Sequence, residues 1–390
     1  MEQDTVLVRY GEIGVKSSSV RRRMEERLRR NVESTVAQAG VEATVRREWS
    51  RILVETDGGS IGKATDAVTR TFGVSSASPC VVTDARMDRI TEAVAEVARE
   101  TYDGGSFAVR ARRAGDEDAH PFTSVDVERE AGAAVADAVD APVDLDDPDN
   151  FFGVECRLDD AYVYAEERDG PGGLPYGTQG RVVALVSGGI DSPVAAWRAM
   201  RRGCPAELVY VDAGAHGGPD HVARAYETAE ALASYVPGEL RLWRVDAEEA
   251  VDRLVEDVGG TRMLSYRRFM LRVADTVAER VDAVGVVTGE AVGQKSSQTA
   301  RNLRATDTAC SLPVHRPLLS FDKHEVVKEA RDIGTYDASK VNAGCHAVAP
   351  ENPETHATVD EVRDAEPDDL FALADEAVEE ATREVFDCDA

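Results

Sequence analysis

The sequence predicts an α/β protein: a C-terminal doubly wound parallel-sheet domain preceded by two smaller α+β units. Three observations carry that prediction. From residue 182 onward, short apolar runs alternate with amphipathic helical stretches, the pattern of a parallel sheet buried on both faces. Before residue 168 the order is β-α-β-β-α followed by a second mixed unit, which suits small helix-on-sheet layers. Between the two regimes stands Asp169-Gly170-Pro171-Gly172-Gly173-Leu174-Pro175, dominated by glycine and proline and read as a linker. At 390 residues the chain is long enough for two or three cores, and the divisions fall at 1–75, 76–168 and 176–390.

The first unit opens with a β-type run over 6–9 and a turn punctuated by Gly11 and Gly14. An arginine-rich helix follows from Ser18 or Ser19, then a hairpin of 43–45 and 52–55, then a second helix over 61–72 closed by Gly73. The second unit reads as helix 88–102, strand 107–110, helix 124–139, an acidic loop over 140–150, and paired strands 151–158 and 161–165 around Asp159-Asp160. In the third unit, strands at 182–186, 207–211, 240–245 and 284–288 alternate with helices at 193–202, 220–235 and 266–280. The acidic end, 367–390, reads as one last helix and a short tail.

Composition excludes several classes. Hydrophobic residues make up 43% and charged residues 30%, which is globular, and no window approaches the ~18 apolar residues of a membrane span. The N-terminus MEQDTVLVRY carries acids where an export signal has basic residues, so the expectation is a cytoplasmic protein with no membrane partner. Six cysteines (80, 156, 204, 310, 345, 388) lie far apart without a CxxC pair, against both a disulfide framework and a zinc ribbon. His120, His216, His221, His315 and His324 are scattered without ligand spacing, and no metal-binding set is assigned. Net charge is −28, with only six lysines against 39 arginines. Acid-rich, lysine-poor surfaces stay dispersed in concentrated salt, where screening removes self-repulsion, so a halophilic habitat is expected.

The strongest motif is Ser187-Gly188-Gly189-Ile190-Asp191-Ser192, placed after the first strand of the third unit and followed by Pro193 and a helix. Paired glycines let the backbone turn tightly and expose its N–H groups, Pro193 suits a first helical position, and the helix N-terminus adds positive potential. Together they make an anion cradle, though not a Walker A loop, because no lysine follows. The string resembles the SGGxDS loop of PP-loop pyrophosphatases, which grips the phosphates of ATP while AMP is transferred. Gly289-Glu290-Ala291-Val292-Gly293-Gln294, Ser297-Gln298-Thr299, Arg316-Pro317-Leu318, Asp322-Lys323 and the opening Leu7-Val8-Arg9-Tyr10-Gly11-Glu12 narrow the resemblance to tRNA 4-thiouridine synthetases (tRNA sulfurtransferases), over essentially the whole chain.

The resemblance implies a ferredoxin-like first domain, a THUMP second domain that binds tRNA, and an adenylating third domain. It also implies that Ser187, Gly188, Gly189, Asp191 and Ser192 hold phosphates, that Leu185, Val186, Tyr210 and Val211 lie where adenosine sits, and that Arg267, Gly289 and Gln298 touch the nucleotide. Asp191 is the candidate carboxylate for holding Mg²⁺ or orienting pyrophosphate, and Lys323 the candidate cation for the departing pyrophosphate. ATP and Mg²⁺ are the expected cofactors. Cys345, in Lys340-Val341-Asn342-Ala343-Gly344-Cys345-His346, is the candidate sulfur-carrying thiol, since family members have a cysteine there. No CxxC and no room for a rhodanese domain follow in this chain, so the donor, a persulfide carrier or sulfide, stays open, and the resolving thiol is either another cysteine of this chain, with Cys204 and Cys310 preferred over Cys388, or an external reductant.

Arginine islands stand out against the acidic background: Arg21, Arg22 and Arg23 within six arginines over 21–30, Arg46, Arg47 and Arg51 near the hairpin, and Arg110, Arg112 and Arg113 after a strand. Local charge can hold an RNA backbone whatever the net charge, so these are candidate tRNA contacts; pairing with nearby Asp and Glu is the competing role for each. The expected activity is ATP-dependent thiolation of a tRNA uridine, position 8 by family precedent, to 4-thiouridine through an adenylated intermediate. The family is also linked to sulfur delivery for thiamine thiazole. A PP-loop amide-forming ligase and a non-catalytic RNA-binding protein are the rival readings, and a homodimer is allowed.

Overall fold

In the computed structural model, residues 3–114, 120–217, 219–339 and 348–387 are described, and the chain divides into two compact units at Leu174/Pro175. In the first unit, β1 (Thr5–Arg9), α1 (Ser18–Gln38), β2 (Thr44–Glu48), β3 (Arg51–Glu55) and α2 (Ile61–Val68) lead into β4 (Ser76–Asp84). Then come α3 (Met87–Thr101), β5 (Phe107–Arg113), α4 (Ser124–Val139), β6 (Asn150–Cys156), β7 (Asp160–Tyr164) and β8 (Arg168–Asp169). The alternation Val6, Val8 against Leu7 splits β1 between two faces: Val6 and Val8 pack with Met24, Leu28 and Val32 of α1, while Leu7 packs with Leu53, Cys80, Tyr162 and Tyr164.

The strand β4 has no counterpart in the sequence expectations, and it is the hinge of the unit. Ser76–Cys80 pair antiparallel with β1, Val81–Asp84 pair antiparallel with β7, and β8 joins at Ser76 and Ala77. The two N-terminal units therefore share one sheet, in the order β2-β3-β1-β4-β7-β6-β5. Arg51 of β3 donates to Glu155 of β6 at 2.7 Å across four strand intervals, about 19 Å if the sheet were flat. The sheet must fold over β4, and that fold encloses the Leu7–Tyr164 cluster on the face without helices. The start of the expected linker is in fact held to this unit, with Gly170 N–H donating to Ser75 O at 2.9 Å and Gly172 N–H to Val74 O at 2.7 Å.

The second unit contains β9 (Val182–Val186), α5 (Asp191–Arg201), β10 (Ala206–Asp212), α6 (Pro219–Ala233), β11 (Leu240–Asp246), α7 (Glu248–Asp257), α8 (Arg262–Val281) and β12 (Val286–Val287). They are followed by α9 (Ala300–Asp307), β13 (Val314–His315), α10 (Lys323–Asp332), α11 (Val359–Ala365), α12 (Leu370–Glu379) and β14 (Thr382–Phe386). The sheet order is β13-β12-β9-β10-β11-β14. All pairings are parallel except β14, which runs antiparallel along β11 and so corrects the expected helix-and-tail reading of 367–390. The chain moves outward from β9 through β10 to β11, then returns to place β12 on the other side of β9. That reversal opens a crevice at the carboxyl ends of β9 and β12, where such sheets bind ligands. The α8 residues Phe269, Val273 and Val277 bury against Val183, Val209, Val245 and Val286, fixing the sheet behind the crevice. Among the described residues no helix is long and apolar enough to cross a membrane.

Candidate functional site

A cavity of about 260 Å³ opens at the carboxyl ends of β9, β10 and β12. Its lining brings together Leu185, Val186, Ser187, Gly189, Asp191, Ser192, Tyr210, Val211, Arg267, Gly289 and Gln298, eleven of the twelve nucleotide-binding candidates. Gly188, the twelfth, belongs to the same turn but faces Arg224, whose Cβ would lie 3.0 Å from a Cβ at Gly188. The turn is closed by its own serines: Ser187 N–H donates to Ser192 Oγ at 2.8 Å, the two hydroxyls lie 3.0 Å apart, and Gly189 N–H donates to Ser187 Oγ at 3.2 Å. This holds the loop at the first turn of α5, where unpaired helix amides and the helix dipole favour an anion.

Gly289 follows β12 and must be glycine for a steric reason. A Cβ there would stand 2.6 Å from Ser192 N and 2.8 Å from Asp191 C, so the β12 turn can lie against the start of α5 only without a side chain. Asp191 in turn meets Lys323, whose Nζ donates to Asp191 Oδ1 at 2.7 Å. Lys323 is the first residue of α10, which a reciprocal Asp322–Glu325 capping box starts. Arg198 of α5 binds Glu329 of α10 at 2.7 Å and stacks on Phe321 at 4.1 Å, so the two elements bearing Asp191 and Lys323 are tied together. Lys323 stands at the rim and is half exposed.

On the opposite wall a buried network organises the arginine. Glu290, 6% exposed, accepts from Arg267, from Arg316 Nε at 2.9 Å and from Thr288 Oγ1 at 2.9 Å. Burial works to raise the Glu290 carboxyl, but the Arg267 and Arg316 charges and the Thr288 hydroxyl outweigh it and hold the group below its ordinary value. Arg267 also donates to Ser297 Oγ at 3.2 Å. With the Gln298 amide oriented as its neighbours require, it donates to Ala291 O at 2.9 Å and accepts from Arg267 Nη2 at 3.1 Å. The guanidinium is thus fixed from three sides in the cavity wall.

Sequence reasoning assigned no role to Thr288, Glu290, Tyr266, Lys295, His216 or His221, all of which line the cavity. The histidines carry no metal-ligand spacing; the usable signal for them is their position just beyond the carboxyl end of β10. His216 Nε2 lies 2.7 Å from Asp252 Oδ1. Among the described residues no cluster of three or more His, Cys, Asp or Glu is placed to hold a metal. Cys345 lies outside the described residues.

The RNA-contact candidates belong to the first unit. On α1, Arg22 and Arg23 are exposed and have no carboxylate partner among the described residues, whereas Arg21 lies 3.5 Å from Glu25. Arg29 and Arg30 both pair with Glu26, each at 3.1 Å. On β5, Arg110 and Arg112 are exposed, Arg110 donating to Leu145 O. Arg113 is committed to structure, donating to Phe122 O at 2.7 Å and bracing the entry to α4.

Three comparisons bear on this geometry. The family model described as Thiamine biosynthesis protein (ThiI) matches residues 177–370, the ThiI ferredoxin-like domain model residues 5–78, and the THUMP domain model residues 84–166. A protein of Halobacterium salinarum named "Probable tRNA sulfurtransferase" is 52% identical over 376 residues, covering 95% of each chain. One of Methanobrevibacter smithii with the same name is 37% identical over 374 residues, covering 94% of this chain and 95% of its own. Among solved structures, a 4-thiouridine synthetase in complex with RNA and bound ATP superposes with a TM-score of 0.85 at 32% identity, over 98% of this chain and 100% of that one.

Proposed function

This chain belongs to the ThiI family, and we propose that it is an ATP-dependent tRNA sulfurtransferase that converts a uridine, at position 8 by family precedent, to 4-thiouridine. The observation that carries the reading is the convergence of the SGGxDS turn, Arg267, Gly289 and Gln298 on one strand-end cavity. A uracil oxygen is a poor leaving group, so it must first be esterified. In the first step O4 of the uridine bonds to the α-phosphorus of ATP, the P–O bond to pyrophosphate breaks, and the N3 proton departs as C4=N3 forms. A sulfur nucleophile then adds at C4 and AMP leaves.

The Ser187–Ser192 turn holds the triphosphate, with Leu185, Val186, Tyr210 and Val211 offering strand-end backbone and side chains to the adenosine. Arg267 supplies a rigid fork to phosphate or ribose oxygens. Lys323, held at 2.7 Å from Asp191, balances charge as pyrophosphate leaves. Mg²⁺ typically takes one or two carboxylates plus substrate phosphates, and Asp191 beside the phosphate turn fits that division; bound there, it would neutralise phosphate charge. Arg21, Arg22, Arg23, Arg110 and Arg112 serve the tRNA backbone, with Arg113 acting through the loop it braces. The domain divisions at 1–75, 76–168 and 176–390, a cytoplasmic location, a persulfide carrier or sulfide as donor, and delivery of the same sulfur to thiamine thiazole complete the reading. Asp191→Ala should keep tRNA binding and lose tRNA-dependent AMP formation by at least about 10²-fold. Retained AMP formation in that variant would show that the chemistry lies elsewhere.

A further inference from the structure

The β2–β3 hairpin carries a feature that folding does not explain. Its two-residue tip is Trp49-Ser50, where such turns favour Asn-Gly, and Ser50 sits in the left-handed region at φ 59°. Trp49 is 62% exposed, while Trp197 and Trp243 are buried at 7% and 8%. Among the described residues no ring or guanidinium stacks on the Trp49 indole. The left-handed position of the turn falls on Ser50, and Trp49 beside it projects its indole to solvent without packing on the core.

Its surroundings suggest what meets it. Trp49 borders an open cleft of about 560 Å³ between the hairpin and the start of α1, together with Ser18, Arg21, Arg22 and Arg47. Glu25 lies at the floor, where it accepts from Tyr10 Oη at 2.8 Å and takes up part of the charge of Arg21 at 3.5 Å and Arg47 at 3.4 Å. Arg22 has no such partner among the described residues. Arg157 Nη1 lies 3.4 Å from Ser50 Oγ and 3.5 Å from the Trp49 carbonyl, which steadies the tip. A flat π-face beside arginines is the arrangement that binds a nucleic-acid base with its flanking phosphates.

We propose that Trp49, at the tip of the β2–β3 hairpin beside Arg21, Arg22 and Arg47, is a stacking platform for one unpaired base of the RNA substrate, a proposal that rests on the tRNA reading above. The base must be unpaired, because a base inside a duplex has both faces covered by its neighbours. Stacking also survives concentrated salt, which screens phosphate contacts, so it gives a highly acidic chain a grip on RNA that charge alone would not.

Intrinsic fluorescence tests this directly, since Trp49 is the exposed tryptophan of the three. Titrating the full chain in molar KCl with a short single-stranded RNA should quench its emission, and a blunt duplex should not. Trp49→Ala should abolish the quenching and weaken tRNA binding, measured by filter retention, by about tenfold. Trp49→Phe should lose the signal yet hold tRNA within about threefold of wild type. If tRNA binds the wild type and Trp49→Ala equally and no quenching occurs, the stacking platform is wrong and the tRNA reading stands. If the wild type retains neither tRNA nor single-stranded RNA, both fall.

Discussion

Replacing Glu290 by glutamine would leave Arg267 and Arg316 facing each other with no anion between them, which is where one side chain decides both stability and chemistry. Removing one partner of a buried, hydrogen-bonded charge set typically costs about 3–5 kcal/mol. Glu290→Gln should therefore lower the unfolding free energy by that margin at neutral pH, read as a lower urea midpoint with the slope of the transition unchanged, and should also weaken ATP binding as Arg267 swings free. The pH dependence has a definite sign. The folded Glu290 carboxyl is held below its ordinary value, so its contribution is complete above the unfolded carboxylate range and is lost as pH falls through the folded value. The variant should accordingly lose less stability than wild type below about pH 4. Equal acid sensitivity in both proteins would mean that Glu290 is not the charge that balances the arginines. Glu290 was visible in the sequence only as part of a matching string; its role depends on Arg267 from α8 and Arg316 from beyond β13, which no local pattern brings together.

Among the elements, β4 shows where sequence reasoning reaches and where it stops. Its residues, SASPCVVTD, carry Pro79 in mid-strand and lack a clean alternation, so neither periodicity nor propensity marks a strand there. The strand exists because β1 and β7 each pair with half of it, a tertiary cause invisible in local pattern. The parallel strands of the second unit were legible for the opposite reason: runs such as Val182–Val186 are apolar throughout and are followed by helices. At the other extreme β14, TREVF, is exposed over four of its five residues and carries no core signal; its place is set by pairing with β11. The shared β4 makes a prediction about independence. A fragment of residues 1–75 keeps β3 beside β1 but lacks β4 on its other edge, whereas residues 1–174 contain the whole sheet. By circular dichroism in molar KCl, 1–174 should unfold cooperatively and 1–75 should show no transition. A cooperative transition for 1–75 would show that the first unit stands without β4.

Across the whole molecule the question is how sulfur leaves the protein. If Cys345 carries a persulfide, its terminal sulfur attacks C4, AMP departs, and the RNA is left joined to Cys345 through an S–S bond. A second thiol must reduce that bond to release 4-thiouridine. Cys204 and Cys310 are the preferred candidates within the chain, with an external reductant as the alternative, and the topology argues against both cysteines. Cys204 precedes β10 and Cys310 precedes β13, so each belongs to the amino edge of a parallel sheet whose cavity is at the carboxyl edge. The seven residues of β10 alone span about 20 Å. Cys310 is further bound to Asp275, two turns along α8 from Arg267, and burial pushes its thiol up to about 12; burial raises the Cys204 thiol as well. Cys80 and Cys156 are fully buried in the first unit. Among the described residues no cysteine is both reactive and beside the cavity, and Cys388 lies outside them, so an external thiol is the reductant to test first. Cys204→Ser and Cys310→Ser should then form 4-thiouridine at wild-type yield when a dithiol is supplied, while Cys345→Ser should adenylate tRNA and stop, as read by nucleoside mass spectrometry. Excess sulfide separates the routes: wild-type yield from Cys345→Ser under those conditions would remove the covalent carrier and leave direct attack by sulfide, and loss of product in Cys204→Ser or Cys310→Ser would return the resolving step to the chain itself.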